Sequence, residues 1–407
     1  MIGDTDLTDY VIIGNGPAGI RAAETIREHD LDSRIRVISE ESHLYYYRRL
    51  LSRFIAGRYK PQNLRVYPPD FYEKKGIEQT LGRTVEKIVP SEKQVLLDNN
   101  EKISYDKLLL AVGGKPIAPN WPGSTLKGVM TIRTLDDAQK TMDYIATTKE
   151  AVVVGGGLLG LNLAQSLRER GLNVKLLVRG NRLWPAMLDQ KASEIIVSRL
   201  ELEGIEVNFS TQVESIVGES DSASKVLTTG KNEIPCELII VSIGIRPSVD
   251  FLKGSEIRID KGVIVNQEMR TNIEDIYAAG DVAQAYDVAY KEYRVNTSWS
   301  NAIEQGTIAG LNMSGKHETF CGGVCSNTEK IYDVALTSIG VTYPPSADYE
   351  ILIHNNENVY RKFVLKEDKV VGALLVGYTR DADKIEKLIR TEASVKNLGD
   401  KLLTGLA

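Results

Sequence analysis

Sulfur is scarce in this chain of 407 residues. It holds three cysteines, Cys236, Cys321 and Cys325, and none before residue 236. Three thiols in such a length build no disulfide framework and suit a reducing cytoplasm. Histidine is equally sparse: His29, His43, His317 and His354 are scattered, without metal-ligand spacing and with nothing like a Ser–His–Asp arrangement. The run Cys321-Gly322-Gly323-Val324-Cys325 offers two ligands where zinc or an iron–sulfur centre needs four. The thiols therefore read by default as buried or incidental, with a metal or redox pair at Cys321 and Cys325 as the lesser alternative, and no metal site is expected. No apolar run nears the roughly 18 residues of a membrane span. Met1 to Asp9 is acidic and polar, with no basic region and no apolar region, so it is not read as a secretory signal. The net charge of -5 gives no global attraction to nucleic acid or to an anionic membrane.

Glycine, by contrast, stands where it matters. The apolar run Tyr10-Val11-Ile12-Ile13 leads into Gly14-Asn15-Gly16-Pro17-Ala18-Gly19, and a helical pattern follows. The turn reads G-x-G-x-x-G. Gly14 makes the tight turn, Gly16 lets a pyrophosphate approach the backbone, and Gly19 lets helix pack on strand. The free N–H groups and dipole of the helix start face the phosphates. Glu40 follows the next apolar run, roughly 20 residues after Gly19, where an acid holds ribose hydroxyls. The same device recurs at Ala151-Val152-Val153-Val154-Gly155-Gly156-Gly157-Leu158-Leu159-Gly160.

Between and beyond these turns the chain reads as several domains, being too long for one core. Residues 42–69 carry Arg48, Arg49, Arg53, Arg58, Lys60 and Arg65 and no acid. Two readings stay open for this segment. One or two arginines clamp cofactor phosphates while the rest are solvated, or the segment also forms a docking surface for an acidic partner. Residues 77–110 suggest short strands with a turn at Asp98-Asn99-Asn100, ending in the buried strand before Gly113-Gly114. Pro116, Pro119 and Pro122 then mark a crossover. Helices are expected over Leu135–Thr147, Ile195–Leu202, Trp299–Asn312 and Asp381–Arg390. Strands are expected over Val174–Val178, Ile205–Phe209, Leu238–Gly244 and from Ile276 to an end at Gly280-Asp281, and an antiparallel set over Val334–Ile339, Glu350–Ile353, Val359–Leu365 and Val370–Val376.

These residues together resemble the two-dinucleotide-binding-domain flavoproteins, the pyridine nucleotide-disulfide oxidoreductase family. Within it the chain is most similar to NADH:rubredoxin oxidoreductases and the flavin portion of NAD(P)H nitrite reductases. Their pattern Y-x-R-x-x-L-S-x-x-x-x-G is met by Tyr46, Arg48, Leu51, Ser52 and Gly57, and Tyr360-Arg361-Lys362 and Gly377-Tyr378-Thr379-Arg380-Asp381 look like their small C-terminal domain. The resemblance implies an α/β fold: an FAD-binding domain over 1–116 and 245–318, an NAD(P)H-binding domain over 117–244, and a C-terminal α+β domain over 319–407. It implies FAD contacts from Gly14, Gly16, Pro17, Ala18, Gly19, Glu40, Arg48, Ser52, Val85, Ala111, Gly113, Gly280, Asp281 and Trp299. It implies nucleotide contacts from Gly155, Gly157, Leu158, Leu159, Gly160, Arg179 and Gly244.

Three departures from that family shape the functional expectation. No cysteine stands near Arg49 or Leu50, so dithiol or single-thiol chemistry at the flavin is not expected. The lysine and glutamate that pair beside the flavin in ferredoxin and rubredoxin reductases are replaced by Arg53 and Asn162, the two candidate catalytic residues. The acid that grips the 2′-OH of NAD is replaced by Val178, followed by Arg179 and Arg182, which admits NADPH without excluding NADH. The resemblance then implies an FAD-dependent NAD(P)H oxidoreductase passing electrons to an acidic iron–sulfur carrier or partner subunit. Two alternatives stand beside it: an NAD(P)H oxidase or diaphorase using O2 or a quinone, and a flavin-bearing redox sensor. A cytoplasmic protein, and a homodimer through the C-terminal domain, are compatible with all three.

Overall fold

The computed structural model describes residues 7–356, 359–398 and 400–405. They divide into two compact units. One comprises the described residues up to Tyr46, Arg65–Lys115 and Pro247–Ser326. The other comprises Tyr47–Leu64, Pro116–Arg246 and the described residues from Asn327 on.

The first unit is built on a parallel sheet of five strands. Their order is Ile276–Ala278, Lys107–Leu110, Asp9–Ile13, Arg34–Ser39, Ile77–Leu81. Strands covered on both faces read as continuous apolar runs rather than alternating ones. Accordingly Val11, Ile12, Leu108, Leu109 and Leu110 are all buried, each contributing about 1.5–3 kcal/mol of hydrophobic burial. The helix Pro17–His29 follows the central strand and packs on the helix Trp299–Met313. Gly306 and Gly310 permit that approach, since a Cβ on either would overlap the carbonyl of Ala18 or Ala22. A small antiparallel sheet, Val85–Val89, Gln94–Leu97 and Lys102–Ser104, holds the expected turn, in which Asn100 takes φ +65°.

The second unit repeats the plan with strands ordered Ile205–Asn208, Asn173–Leu177, Glu150–Val154, Leu238–Val241, Val129–Met130, all parallel. The helix Leu135–Ile145 opens on a capping box between Thr134 and Asp137. The helix Gln190–Leu202 starts five residues before the expected Ile195, because Asp189 caps it through the Ala192 N–H and its first turn is polar. The meander Val213–Glu219, Ser222–Thr228 and Glu233–Pro235 is absent from the sequence reading. Its short strands bury only scattered residues such as Val213, Ile216 and Val226.

The C-terminal segment forms an antiparallel sheet ordered Ser326–Ile331, Val334–Gly340, Lys369–Val376, Tyr360–Lys366, Glu350–Asn355, backed by the helix Ala382–Thr391. It clusters within the second unit. Residues 47–64 do so as well, whereas the sequence reading grouped them with the first glycine turn. The physical reason lies in their ties: Arg48 donates to the Arg133 carbonyl, Arg53 pairs with Glu329, and Arg58 forms a forked pair with Glu169.

Candidate functional site

The first glycine turn is shaped by close contact on two sides and open space on the third. Gly14 sits at φ +121°, and a Cβ there would overlap the Ala111 carbonyl oxygen. A Cβ on Gly19 would overlap the Gly14 carbonyl. Around Gly16 nothing lies within 4 Å of the place a Cβ would occupy. The helix beyond begins with Gly16 as its cap residue and Pro17 in its first turn, with no side-chain hydrogen bond to the exposed N–H groups. Uncapped N–H groups beside an open glycine form a ready anion site. Asn15 is locked in the turn, donating to the His43 carbonyl (3.1 Å) and accepting from the Tyr72 hydroxyl (2.6 Å).

Other candidate residues gather around this turn. Gly280 lies so near that a Cβ on it would be 3.2 Å from the Ala18 Cβ, which puts Gly280-Asp281 beside the helix start. The Gly280 N–H donates to Oε1 of Gln305, a fully buried side chain, at 2.8 Å. The Ala111 N–H donates to the Ile13 carbonyl, and Gly113 follows at φ +69°. Glu40 is exposed just past the strand Arg34–Ser39, whose Ile38 carbonyl accepts from the Gly14 N–H. Trp299 opens its helix behind the Ser298 cap and its Nε1 donates to the Tyr45 hydroxyl at 3.4 Å. Val85 is buried at the start of its strand. Arg48 and Ser52 fall in the second unit, where Ser52 is buried on the short helix Leu51–Ile55. Asn15, Tyr72 and Gln305 escaped the sequence reading. Asn15 had a local signal, lying inside the motif, but Tyr72 reaches Asn15, and Gln305 reaches Gly280, only through the fold.

The second turn has the same construction. Gly155 sits at φ +118° with its absent Cβ against the Ser242 carbonyl, Gly160 is closed against Gly155, and Gly157 is open. The helix Leu158–Glu169 again starts uncapped. Leu158 and Leu159 form its first turn, and Leu159 is exposed. Gly244, at φ +123°, accepts from the Ile117 N–H. Val178 is buried, and its Cγ2 would lie 2.9 Å from a Cβ on Gly156. Arg179, next in sequence, is exposed.

Arg53 and Asn162 come together on the wall of one polar cavity of about 210 Å³, shared with Ser52, Arg58, Gln165 and Tyr332. The carboxylate that meets Arg53 is Glu329, 3.2 Å away on the strand Ser326–Ile331, a partner separated by 276 residues and invisible to motif spacing. Of the basic segment, Arg53 and Arg58 are matched by acids, Arg48 lies on a carbonyl, and Arg49 stacks 5.6 Å from the Tyr47 ring. The segment is therefore less cationic in space than in sequence. The three cysteines are free thiols. Burial pushes Cys236 up to about 12, far from a reactive thiolate. Among the described residues no group of three His, Cys, Asp or Glu side chains has metal-binding geometry. Among the described residues, no helix is long and apolar enough to cross a membrane.

Two strand–glycine turn–helix cradles, each with an open glycine and an uncapped helix start, define a protein that binds two dinucleotides. Comparison with known proteins makes this specific. Residues 8–306 match the family model "Pyridine nucleotide-disulphide oxidoreductase", and residues 326–393 match "Rubredoxin NAD+ reductase C-terminal domain". The chain is 31% identical to the NADH oxidase of Methanocaldococcus jannaschii, over 93% of this chain and 89% of that protein. It is 30% identical to a nitrite reductase [NAD(P)H] of Bacillus subtilis over 95% of its own length, but spans only 47% of that protein. It is 29% identical to the NADH-rubredoxin oxidoreductase of Clostridium acetobutylicum over 98% of this chain and 99% of that one. The crystal structure of that organism's NADH:rubredoxin oxidoreductase superposes with a TM-score of 0.80, at 27% identity, covering 97% of this chain and 98% of that one. The chain belongs to the pyridine nucleotide-disulphide oxidoreductase family, whose members use FAD and NAD(P)H. Both cradles fit such groups, since each leaves open space where its middle glycine lacks a side chain.

Proposed function

We propose that this chain is an FAD-dependent NAD(P)H oxidoreductase that passes electrons to a small iron–sulfur carrier protein, or to an iron–sulfur partner subunit, without a redox disulfide of its own. The observation that carries the reading is a complete pair of dinucleotide cradles in a chain whose thiols are all remote in sequence from the first one. The match of residues 326–393 to a rubredoxin reductase C-terminal domain supports the carrier class.

In this reading the first cradle holds FAD. Gly14, Gly16, Pro17, Ala18 and Gly19 present backbone to its pyrophosphate, and Glu40 faces the ribose. Val85, Ala111 and Gly113 line the approach, Gly280 and Asp281 meet the ribityl chain, and Trp299 brings a helix start toward the ring. Arg48 and Ser52 remain candidates from the second unit. The second cradle, Gly155, Gly157, Leu158, Leu159 and Gly160 with Arg179 and Gly244, holds NAD(P)H. When bound, FAD supplies the conversion of a two-electron hydride donor into one-electron steps. Arg53, with its charge balanced by Glu329 rather than by a helix-borne acid at Asn162, is the candidate for favouring the anionic reduced state, with Asn162 as its neighbour. Of the basic segment, Lys60 and Arg65 are exposed and suit an acidic partner. A cytoplasmic setting and a homodimer accord with this reading.

The test is anaerobic reduction of a rubredoxin or ferredoxin by the FAD-loaded protein with NADH or NADPH. Fast carrier reduction supports the proposal. One observation favours a second reading, namely the 31% identity to an NADH oxidase. Rapid NAD(P)H consumption with oxygen alone, unstimulated by any carrier, would establish that alternative instead.

A further inference from the structure

The loop after the strand Asn173–Leu177 carries two arginines, and the structure treats them differently. Arg179 is exposed, and among the described residues no hydrogen bond, ion pair or ring contact engages it. Arg182 is folded back. Its Nε donates to the Leu188 carbonyl at 3.1 Å, its Nη2 to the Pro185 carbonyl at 3.4 Å, and its guanidinium stands 5.1 Å from the centre of the Tyr343 ring.

Tyr343 comes from the C-terminal segment and is fixed from several directions. Its hydroxyl donates to the same Leu188 carbonyl at 2.8 Å. On the ring also sits the ammonium of Lys362, 4.8 Å from its centre, so the ring lies against two cations. Lys362 is itself buried and paired with Asp189 at 3.2 Å, and the Tyr360 hydroxyl donates to the same Asp189 oxygen at 2.5 Å. Asp189 in turn caps the helix Gln190–Leu202. The middle of the loop is held to the second glycine turn, where Trp184, at φ +36°, donates its N–H to the Gly156 carbonyl at 2.8 Å. Thus the loop is held at its middle to the glycine turn and at its far end to the C-terminal sheet.

We propose that Tyr343 is a positioning residue for nucleotide choice: it keeps Arg182 inside its own loop and leaves Arg179 as the arginine that reads the 2′-phosphate of NADPH. This rests on the nucleotide assignment made above. Two arginines on one phosphate would give strong discrimination, because each charge-assisted contact is strong and geometrically specific. With one withdrawn, and Val178 in place of an acid, the site accepts both nucleotides. The C-terminal segment thereby tunes a specificity that the nucleotide fold alone would set.

The test uses FAD-loaded, oxidised protein and measures Kd for NADP+ and NAD+ by calorimetry, with KM for NADPH and NADH in parallel. Arg179→Ala weakens NADP+ by about tenfold and leaves NAD+ within about twofold. Arg182→Ala leaves the NADP+/NAD+ ratio unchanged. Tyr343→Ala releases Arg182 and shifts the ratio toward NADP+ by about tenfold. Tyr343→Phe keeps the ring and keeps the parent ratio, and adding Arg182→Ala to Tyr343→Ala restores it. A purely structural role for Tyr343 would weaken both nucleotides alike. Loss of NADP+ binding in Arg182→Ala, or a ratio unmoved in a folded Tyr343→Ala protein, overturns the clamp while leaving the nucleotide site standing. Should Tyr343→Ala not fold, Arg182→Ala decides alone. A parent protein that binds neither nucleotide overturns the nucleotide assignment and the clamp with it.

Discussion

Gly14 and Gly16 stand two residues apart, and the structure asks opposite things of them. Gly14 needs a left-handed backbone and has no room for a methyl group against Ala111. Gly16 is surrounded by space and needs only to leave it empty. Gly14→Ala is accordingly expected to destabilise the flavin-free chain by about 1–3 kcal/mol. Gly16→Val should leave its melting temperature close to the parent's and abolish FAD retention. Thermal melts of the flavin-free protein and the yellow absorbance of the purified one check both, and equal melting losses would refute the distinction. These glycines were legible in the sequence because the strand, turn and helix that carry them lie within a dozen residues, although the carbonyl that closes Gly14 comes from Ala111, far along the chain. Arg53 was legible as a position but not as a pair. Its acid arrives from Glu329, far along the chain, and spacing rules carry no information on such distances. Arg182 was legible as a second basic residue, whereas its occupation by Tyr343 depends on where a distant sheet packs.

At the scale of elements, two carboxylates, Asp275 and Asp381, join segments that the sequence keeps apart. Asp275, at the foot of the edge strand Ile276–Ala278, takes Lys93 at 2.6 Å and Lys107 at 2.5 Å. Burial alone would raise its pKa, but the hydrogen bonds from both lysines outweigh this and hold it below the usual aspartate value. A carboxyl with a depressed folded pKa stabilises the fold above its unfolded value, about 3.9, and that contribution fades as pH falls through the folded pKa. Asp275→Asn should therefore flatten the acid limb of stability below about pH 4, with little change in slope at neutral pH. Denaturant midpoints measured across the acid range check this, and an acid limb identical to the parent's would refute it. Asp381 pairs with Arg361, 2.6 Å away and almost fully buried, and Arg361 also donates to the Leu402 carbonyl at 3.0 Å. Removing one partner strands the other charge in the interior. Asp381→Ala is expected to cost about 3–5 kcal/mol, read as a lowered denaturation midpoint of the second unit. Pattern reading found the strands and helices around these pairs, because their periodicity is strong. It missed the meander from Val213 to Pro235, whose short strands carry too few apolar residues to show a period.

Taken as a whole molecule, the chain doubles one solution. Each unit sets a buried parallel sheet under a glycine turn, opens a helix without a side-chain cap, and leaves one glycine facing empty space. The architecture and the family were readable in advance, since the repeated turn is a sequence object. The allocation of residues 47–64 and of the C-terminal segment to the second unit was not, because it rests on long-range pairs such as Arg58 with Glu169 and Lys362 with Asp189. The functional claim also belongs to this scale. Family members that relay electrons through sulfur need a thiol after the first βα unit, and here that segment carries arginines instead.

The most direct measurement replaces all three thiols at once, as Cys236→Ala, Cys321→Ser and Cys325→Ser. The FAD-loaded variant is mixed anaerobically with NADH or NADPH and an oxidised rubredoxin or ferredoxin, and carrier reduction is followed by absorbance. The account predicts a rate close to that of the parent protein. A parent that reduces the carrier beside a thiol-free, folded, flavin-loaded variant that does not would contradict it.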